Sequence, residues 1–594
     1  MNNNIKHQIE QHDVISFDIF DTLIVRPYIE PSHMFKHIEL ALGKRGFYKN
    51  RLIAEQTAQK NSKYEGVTLD EIYTYIHPDY ADLKQTELEF EQRCLTQNPR
   101  VYEIYKYARD LNKKIVFISD MYLPKDFLIS VLAKNGYDYF DEFFLSGESR
   151  KAKYSGNLFK ICLKEFNILP NRVLHFGDHD ISDVKMPRSL GIDVIQIKKN
   201  SVEFFEQHKQ YLYLYNKNKE SLTLSILISL MIDKWAKSGY SDFDSNSYWY
   251  NFGYNIGGHI ALGFATFYLT ELAKDGCKQW LFIARDGYWM HKITSILSQN
   301  TNIFYIYAQR IIGYNALRIE EGEPNPDLQK LSEMNIKKYA DYLKSQGINP
   351  HEKIGIIDSG TAAFTAQRLI ERALGVKTTG IYTHIYKHNI ALNLNCDYRS
   401  WTTEMTKIKN IISLIEFVFM APERPVVDIQ NNKPVYMNNI TKYEEYRNKI
   451  TVEIGQGICD FIKRYKELFG DNMFVFSATD VNALIQVFVG NMTKTDSKKL
   501  SSVKIPDTYN KIYKKTLKEF VEEPMYKKIK LFGIPFIAIN HKYDKSVIYL
   551  FKFIPVLVFK QYKYLRLFGF IPLIKVKNNS IYLFEFIKML KIYK

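Results

Sequence analysis

The stretch from Ser16 to Leu23, which reads SFDIFDTL, constrains the fold of this chain more than any other. A short apolar run, Val14 to Phe17, ends at Asp18, and Thr22 follows four residues later. A buried parallel strand has this form, and an open α/β sheet places its ligands at the carboxyl ends of such strands. A carboxylate held there can act as a nucleophile or a metal ligand, or it can cap the next helix.

Two later apolar runs end in the same way. Lys114 to Ser119 ends in a hydroxyl, and Val173 to Phe176 is followed by Gly177-Asp178 and then by Asp183. Lys153 lies between these two runs. The carboxyl ends of parallel strands meet at one edge of a sheet. We therefore predict an α/β sheet that brings a carboxylate, a hydroxyl, a lysine and an acid pair together at that edge.

Helical patterning fills the segment between the first two strands. Ser32 is a candidate N-cap for a helix that we expect to end at Gly46. Thr68 opens a capping box, and the helix that it starts should stop by His77, which precedes a proline. We therefore expect a helical insert over residues 27–110, a suitable length for a small bundle.

Together, these stretches resemble the four motifs of the haloacid dehalogenase-like hydrolase superfamily, in the same order, over Val14 to Ile197. The resemblance implies a Rossmann-like domain over residues 1–200 with the helical insert as its cap. Lys153 fits better than Lys151, because Lys-x-x-Gly-x-Leu at 153–158 matches the family spacing. The implied roles are Asp18, Ser119 and Lys153 in catalysis; Thr22, Ser119 and Lys153 in substrate binding; and Asp18, the Phe20 backbone carbonyl, Asp178 and Asp183 as Mg²⁺ ligands.

Phe20 departs from this family pattern. Phosphatases of the superfamily carry a second Asp at that position, as the general acid for the leaving oxygen, whereas its dehalogenases tolerate an aromatic residue there. The retained Asp178 and Asp183 favour metal-dependent phosphoryl transfer, since a buried acid cluster needs a cation. Asp21 is a candidate substitute acid. Metal-independent hydrolysis at Asp18 and a catalytically degenerate binding module remain the alternatives.

A second α/β domain is predicted over residues 220–500, because strand-like runs with sharp ends reappear there. One run ends at Arg285-Asp286-Gly287, and another ends at Asp358-Ser359-Gly360-Thr361. The second ending can bind an anion through backbone N–H groups, or it is a plain strand–helix turn. We select Asp286, Asp358 and Thr361 as its candidate site residues.

Three further stretches of this middle region carry predictions. Residues 198–219 are polar and are interpreted as a linker into a helix. Asp244 to Glu271 has no charge between its ends, and its Gly and polar content favours a buried helix over a membrane span. The Pro-rich segment Met420 to Ile429 is expected to be an irregular loop. The whole arrangement resembles two-domain bacterial proteins associated with surface-polysaccharide assembly.

Residues 525–594 form a basic tail of apolar-aromatic repeats, which begin at Leu531, Leu550, Leu567 and Leu583. The formal net charge of the chain is +16, and the tail carries 14 Lys and Arg against two acidic residues. The tail is predicted either to form stacked hairpins or to anchor the protein on an anionic membrane surface. Nucleic acid is the weaker option, because no recognised nucleic-acid-binding fold accompanies the charge.

The five cysteines are far apart and the chain starts without a signal peptide, which together predict reduced thiols in a cytoplasmic protein, or one on the inner face of the membrane. We expect a Mg²⁺-dependent phosphohydrolase acting on a small phosphorylated substrate. A sugar or polyol phosphate of surface-glycan synthesis is the expected class. The alternatives are dehalogenase-like hydrolysis, or a degenerate module in a membrane-docked glycan-assembly transferase.

Overall fold

The computed structural model describes residues 2–241, 247–308, 326–361, 364–385, 395–402, 412–505 and 515–522, and the strands of residues 526–591. Within residues 326–332 and from 522 onward, only the secondary structure is described. The chain divides into two compact units. The first is Met1–Asn246 with Lys463–Phe474, and the second is Ser247–Ile462 with Val475–Lys594. The predicted mixed α/β fold with parallel sheets is present.

The sheet of the first unit has five parallel strands in the order β5-β4-β1-β6-β7. Short β2 and β3 pair antiparallel outside it. Chain connections run to opposite sides of β1, so a crevice forms beyond the carboxyl ends of β1 and β6. The strands are β1 Val14–Phe17, β2 Ile24–Val25, β3 Thr96–Gln97, β4 Lys114–Ser119, β5 Glu142–Leu145, β6 Val173–Gly177 and β7 Asp193–Gln196.

Alternate residues of β1 enter two different cores. Ile15 and Phe17 pack in one core with Phe117 and Phe176, whereas Val14 packs in the other with Val116. Both faces are therefore covered, which explains the continuous apolar run of this strand. The helices of the first unit are Asn3–Gln11, His33–Leu42, Phe47–Asn61, Leu69–Tyr73, Pro78–Tyr80, Leu83–Cys94, Pro99–Asp110, Lys125–Lys134, Ser146–Ser149, Asn157–Glu165, Pro170–Arg172, Asp180–Lys185, Met186–Ser189, Asn200–Gln207, Lys209–Lys217 and Leu222–Lys237.

Between β1 and β4 the chain is helical, with one boundary that differs from the prediction. The capping box at Thr68 is present, and its helix ends at Tyr73. The helix after Ser32 ends at Gly43, not at Gly46. Gly43 takes the left-handed conformation, with φ 67°, and its N–H donates to the Glu39 carbonyl, which closes the last turn.

The segment 198–219, predicted to be a linker, instead forms two helices, Asn200–Gln207 and Lys209–Lys217. Their aromatic side chains Phe204, Phe205 and Tyr215 are buried. Burial of this stripe stabilises helices whose sequence is otherwise polar, at roughly 25 cal/mol per Å² of apolar surface. Polar residues between the aromatic positions make the helical spacing of the aromatic residues hard to recognise in the sequence.

The second unit contains a parallel five-stranded sheet in the order β12-β11-β10-β8-β9. Its strands are β8 Gln279–Ile283, β9 Ile303–Ile306, β10 Ile354–Thr361, β11 Thr379–Ile385 and β12 Asp397–Ser400. Its described helices are Tyr248–Phe252, Gly253–Gly257, Gly258–Lys274, Gly287–Leu297, Pro326–Ser345, Thr365–Leu374, Ile412–Phe419, Ala478–Gly490, Lys494–Ser502 and Leu517–Glu522; helix Lys442–Phe469 begins in this unit.

Residues 248–270 of the uncharged stretch lie in consecutive helices, most of whose residues are buried. Gly253 is needed there, because a Cβ at this position would lie 2.1 Å from the Ile454 carbonyl oxygen. Within the described part of the chain, we find no helix with the length and apolarity that a membrane crossing requires. The segment Met420 to Ile429, expected to be irregular, contributes part of β13, Val426–Gln430, which pairs with β14, Lys433–Tyr436. A two-strand ribbon tolerates the prolines that precede it.

The tail forms one antiparallel meander of eight strands, beyond the short pair β15 Lys504–Ile505 and β16 Lys515–Thr516. Three repeats give the same register: Leu550 pairs with Ile554, Leu567 with Ile571 and Leu583 with Ile587, each four residues on. Leu531 pairs with Ile534, three residues on. A register shift precedes every one of these pairs. The strands are β17 Tyr526–Leu531, β18 Ile534–Lys542, β19 Lys545–Leu550, β20 Ile554–Lys560, β21 Tyr564–Leu567, β22 Ile571–Lys577, β23 Ser580–Leu583 and β24 Ile587–Lys591.

A buried ion pair supports the helices between β1 and β4, and its loss should destabilise the fold. Arg51 is fully buried and donates to both carboxylate oxygens of Glu87 at 2.8 Å. We expect Arg51→Ala to lower the free energy of unfolding by about 3–5 kcal/mol, because the buried Glu87 carboxylate loses its cation and keeps only the hydrogen bond from the Tyr73 hydroxyl. Urea denaturation of the full chain measures this. The control is Arg45→Ala at an exposed position, which should change the free energy of unfolding by less than about 0.5 kcal/mol. A loss below about 1 kcal/mol for Arg51→Ala would contradict the role of this pair.

Candidate active site

Asp18 lies immediately after β1 and is almost fully buried. Its backbone N–H donates to the Phe176 carbonyl at 2.8 Å, so the pairing with β6 continues one residue beyond the strand. The chain then turns sharply, and Asp21 takes a left-handed conformation with φ 60°. Thr22 is buried in this turn, and its carbonyl accepts a hydrogen bond from the Asn98 side chain. The turn therefore fixes the direction of the Asp18 side chain.

Lys153 connects two of the predicted acids. Its ammonium donates to Asp18 Oδ1 at 2.5 Å and to Asp183 Oδ1 at 2.6 Å, and its side chain is 3% exposed. Its backbone N–H donates to the Asp120 carboxylate at 2.8 Å. Lys151, the other candidate, is exposed. The structure thus brings Lys153, and not Lys151, to the end of β1.

Asp183 reaches the cluster because Gly177 leaves room for it. A Cβ on residue 177 would lie 2.5 Å from the Asp183 Cβ. The Asp183 carboxylate accepts from the His179 backbone N–H at 3.1 Å, and His175 Nε2 lies 3.3 Å from it. Asp18, Asp178 and Asp183 each bring a carboxylate oxygen within 4.8 Å of the others. These three carboxylates form what we call the acid cluster.

Lys199 is a second cation at the acid cluster, and the sequence did not identify it. Its ammonium lies 2.6 Å from Asp21 Oδ2 and 3.1 Å from Asp178 Oδ2. It immediately precedes the helix Asn200–Gln207, in the segment interpreted as a linker. The only signal available in the sequence was a lysine just beyond the last strand, which is not specific.

The acid cluster forms the floor of a cavity of about 490 Å³, which we call the reaction cavity. Predicted residues Asp18, Phe20, Ser119, Lys153, Asp178 and Asp183 all line it. Thr22 is buried in the turn below and does not line it. The walls that come from the helical segment after β1 are Pro31, Ser32, Phe35, Leu52, Glu55 and Glu91. A wall of this kind restricts the site to small ligands.

Phe20, in the position of the usual acid, is covered by Arg26. The Cζ atom of Arg26 lies 4.1 Å from the centre of the Phe20 ring. The guanidinium also donates to both oxygens of the buried Glu91, at 2.6 and 3.0 Å. A guanidinium stacked on an aromatic ring and held by a carboxylate is fixed in place. Arg26 therefore places a permanent positive charge in the reaction cavity.

Burial and charge set the protonation of these groups. Burial raises the pKa of Asp18 well above its usual value, and the neighbouring Asp183 and Asp178 add to this against the opposing effect of Lys153. Burial also raises the pKa of Asp178, while Lys199 opposes it. For Asp183, Lys153 and His175 outweigh burial and hold the pKa below its usual range. Because the pKa values of Asp18 and Asp178 are raised, further positive charge beside them would favour their ionised forms.

The second-unit candidates lie at the carboxyl ends of β8 and β10. Ser359 Oγ donates to the Asp286 carboxylate, and the Ser359 backbone N–H donates to Asp358 Oδ1 at 2.8 Å. Thr361 Oγ1 accepts from the Phe364 backbone N–H at 2.8 Å, as expected of a hydroxyl that caps the following turn. Glu423 accepts hydrogen bonds from the hydroxyls of Tyr305, which lies in β9, and of Tyr307, which follows that strand. Roles in ligand binding for Asp286, Asp358 and Thr361 stay predictions.

Residues 7–191 match the family model described as haloacid dehalogenase-like hydrolase. This part of the chain is a hydrolase domain. Among solved structures, the L-2-haloacid dehalogenase of Xanthobacter autotrophicus matches 31% of this chain and 77% of its own length, at 18% identity and a TM-score of 0.25. An HAD phosphatase of Thermococcus onnurineus matches 32% of this chain and 87% of its own length, at 18% identity and a TM-score of 0.25.

A third structure is an HAD family enzyme of Bacteroides thetaiotaomicron in complex with magnesium and inorganic phosphate. It matches 32% of this chain and 95% of its own length, at 17% identity and a TM-score of 0.25. Comparison with the curated proteins finds no match. At these TM-scores, the structural likenesses add nothing to the assignment of a substrate or a metal.

Removal of Lys153 should destabilise the first unit in a pH-dependent way. Lys153→Met leaves Asp18 and Asp183 buried without their shared cation, which should cost about 3–5 kcal/mol at pH 7. The pKa of Asp183, which Lys153 holds below its usual range, should then rise above the unfolded value of about 3.9, and the already raised pKa of Asp18 should rise further. Groups with raised folded-state pKa values lose stability as the pH rises, so the variant should recover part of the loss at pH 5.

The measurement is the free energy of unfolding of Lys153→Met and of the unsubstituted protein, in EDTA, at pH 7 and pH 5. Lys151→Met is the matched control, because Lys151 is exposed, and it should change stability by less than about 0.5 kcal/mol at both values. An equal loss for Lys153→Met at both pH values would show that the carboxylates are not held ionised by this lysine.

Proposed function

We propose that the first unit is a Mg²⁺-dependent phosphohydrolase in which Asp18 forms an aspartyl-phosphate with a small phosphorylated metabolite. The observation that carries the proposal is the Lys153 ammonium, which binds Asp18 and Asp183 together at the floor of the reaction cavity. Phosphoryl transfer needs a fixed nucleophile and groups that offset the charge of the phosphate. Lys153 holds Oδ1 of Asp18, so Oδ2 is the oxygen that attacks.

The remaining residues suit the two half-reactions. Asp18 Oδ2 bonds to phosphorus as the bond to the leaving oxygen breaks, and water then attacks phosphorus and frees the carboxylate. Ser119 and Lys153 line the cavity beside Asp18 and are suited to hold the phosphate oxygens. Thr22 supports the turn that aims Asp18. A sugar or polyol phosphate is the proposed substrate class.

The donor set of the acid cluster fits Mg²⁺. Three carboxylates offer oxygens within 4.8 Å of one another, and a cation beside Asp18 and Asp178, whose pKa values are raised, would favour their ionised forms. Asp18, the Phe20 backbone carbonyl, Asp178 and Asp183 would hold the ion, since hard oxygen ligands suit it. When bound, the ion would offset the negative charge of the phosphate.

Phe20 cannot supply a proton to the leaving oxygen. Asp21, the candidate substitute, has its carboxylate bound to Lys199. The Arg26 guanidinium lies over the Phe20 ring and lines the cavity, so it is placed to stabilise negative charge on the leaving oxygen. We therefore propose electrostatic stabilisation by Arg26 in the place of general-acid catalysis.

A second candidate function is metal-independent hydrolysis at Asp18, as in the dehalogenases that the sequence also resembles. The observation that favours it is the pairing of the acids with protein cations: Lys153 binds Asp18 and Asp183, and Lys199 binds Asp178. These lysines offset part of the charge that a metal ion would offset. Under this alternative, EDTA leaves the activity unchanged.

Phosphate release should depend on both Asp18 and Mg²⁺. With a panel of sugar, polyol and acyl phosphates, we expect turnover in Mg²⁺, none in EDTA, and recovery when Mg²⁺ is restored. Asp18→Asn should lower kcat/KM by on the order of 10³-fold or more, because the amide cannot attack phosphorus. Phosphate release is measured directly, with Mg²⁺ binding followed separately by calorimetry.

Asp193→Asn is the matched control, because Asp193 is an exposed acid of the same sheet. It should keep its activity within about twofold. Turnover that survives Asp18→Asn would refute the aspartyl-phosphate proposal, and turnover that survives EDTA would favour the metal-independent alternative.

We also propose a role in surface-polysaccharide synthesis, with the second unit as a further functional domain and the tail as a contact for an anionic membrane on its inner face. The resemblance to two-domain bacterial proteins supports the first part. The 14 basic residues of the tail against two acidic ones support the second. A nucleic-acid partner has no comparable support, because we recognise no nucleic-acid-binding motif beside the basic residues of the tail.

If the tail contacts anionic lipid, the full chain should cosediment with vesicles of phosphatidylglycerol and phosphatidylcholine, and not with phosphatidylcholine alone. Binding should weaken strongly between low and high salt, because each Lys or Arg near the surface contributes about 1 kcal/mol. A chain ending at residue 524 provides the control. Equal sedimentation of the full and shortened chains would remove the tail as the membrane contact.

A further inference from the structure

A second, smaller cavity lies beside the reaction cavity in the first unit. Its volume is about 170 Å³, and we call it the side cavity. The two cavities share four lining residues, Asp21, Arg26, Pro31 and Lys199. Two of these, Arg26 and Lys199, are the cations that stand beside the acid cluster. The two cavities are therefore adjacent, with Arg26 and Lys199 at the boundary between them.

Much of the side cavity is built from residues beyond the family match, which ends at residue 191. Asn200 comes from the start of one helix, and Ser229, Asp233 and Ala236 come from the helix Leu222–Lys237. These residues give the domain a wall that the family motifs do not describe. The properties of this wall therefore bear on the ligand of this particular chain.

Asn200 presents an unpaired amide oxygen in this wall. Its side chain lines the side cavity, the residue is 7% exposed, and its Oδ1 has no hydrogen-bond partner among the described residues. A buried amide without a partner is unfavourable, and native structures rarely keep one unless a ligand or water satisfies it. An amide carries both acceptor and donor groups, so it pairs well with a hydroxyl.

The charge of the side cavity favours a neutral occupant over a second anion, because its cations already bind acidic side chains and Glu30 also lines it. Arg26 binds Glu91, and Lys199 binds Asp21 and Asp178. Lys237 binds Asp233, which also accepts from Arg464. No cation of the described wall is left for a second phosphate or a carboxylate. The remaining surface mixes hydroxyl and amide groups with apolar Pro27, Ile232 and Ala236.

We propose that the side cavity binds the polyol part of the substrate. This part is a neutral, polyhydroxylated group about the size of one sugar ring, and it is hydrogen-bonded to Asn200. Its hydroxyls face Asn200 and Ser229, and its C–H surface packs on the proline and aliphatic wall. This inference rests on the proposed function, since the acid cluster must hold the phosphate of the same molecule.

Two variants test the side cavity against a substrate too small to enter it. Acetyl phosphate is the small probe, and glucose 6-phosphate and mannitol 1-phosphate are the large ones, all with Mg²⁺. Ala236→Phe fills the cavity and should lower kcat/KM for the large probes at least tenfold more than for acetyl phosphate. Asn200→Ala should raise KM for the large probes about fivefold, the loss expected for one neutral hydrogen bond. Gln207→Ala, an exposed amide on the same helix as Asn200, is the control.

Equal effects of Ala236→Phe on the small and large probes, with a native thermal midpoint, would overturn the proposal. So would an Asn200→Ala variant with an unchanged KM for both sugar phosphates. Calorimetry separates this outcome from failure of the proposed function. In the Asp18→Asn background, Asn200→Ala should weaken glucose 6-phosphate binding about fivefold and leave inorganic phosphate binding unaltered. Equal binding of glucose 6-phosphate with and without Asn200→Ala overturns the side-cavity assignment, whether or not any ester is hydrolysed.

Discussion

The contact of one buried ammonium with two buried carboxylates is the interaction around which the first unit is arranged. Lys153 binds Asp18 and Asp183 at the carboxyl ends of two adjacent parallel strands, β1 and β6. Without a cation, these acids would repel one another in a site from which water is largely excluded. Gly177 leaves room for Asp183 in the cluster, and the His175 ring contacts the Asp183 carboxylate. The same concentration of charge that makes the site costly to fold makes it able to hold a phosphate.

The positions of the strands and of the main site residues were predictable from the sequence, because both depend on local patterns. The strands at Val14–Phe17 and Lys114–Ser119 have the bounds that their apolar runs indicate. Asp18, which follows the first strand, and Ser119, which ends the second, both line the reaction cavity. The choice of Lys153 followed from its spacing to a glycine and a leucine. Short-range patterns of this kind reflect strand burial and helix start, which are local properties.

The contacts that complete the site were not predictable, because they join residues far apart in the chain. Lys199 reaches Asp21 across 178 residues, and Arg26 reaches Glu91 across 65. No spacing rule links such pairs. The helices at 200–217 were missed for a different reason: buried aromatic residues at helical spacing stabilise them, although most of their residues are polar. Asp286 and Ser359 of the second unit are also far apart in the chain, and they meet because β8 and β10 are neighbours in the sheet.

The central claim is that Asp18 itself carries the phosphoryl group during turnover. Rapid quenching of the protein during turnover of acetyl phosphate, followed by borohydride reduction and mass spectrometry of the peptide that contains residue 18, tests it directly. The account predicts conversion of Asp18 to homoserine, dependent on substrate, with Asp21 and Asp178 unmodified. Phosphate release at full rate with Asp18 unmodified at every quench time, or modification at another carboxylate, would contradict it.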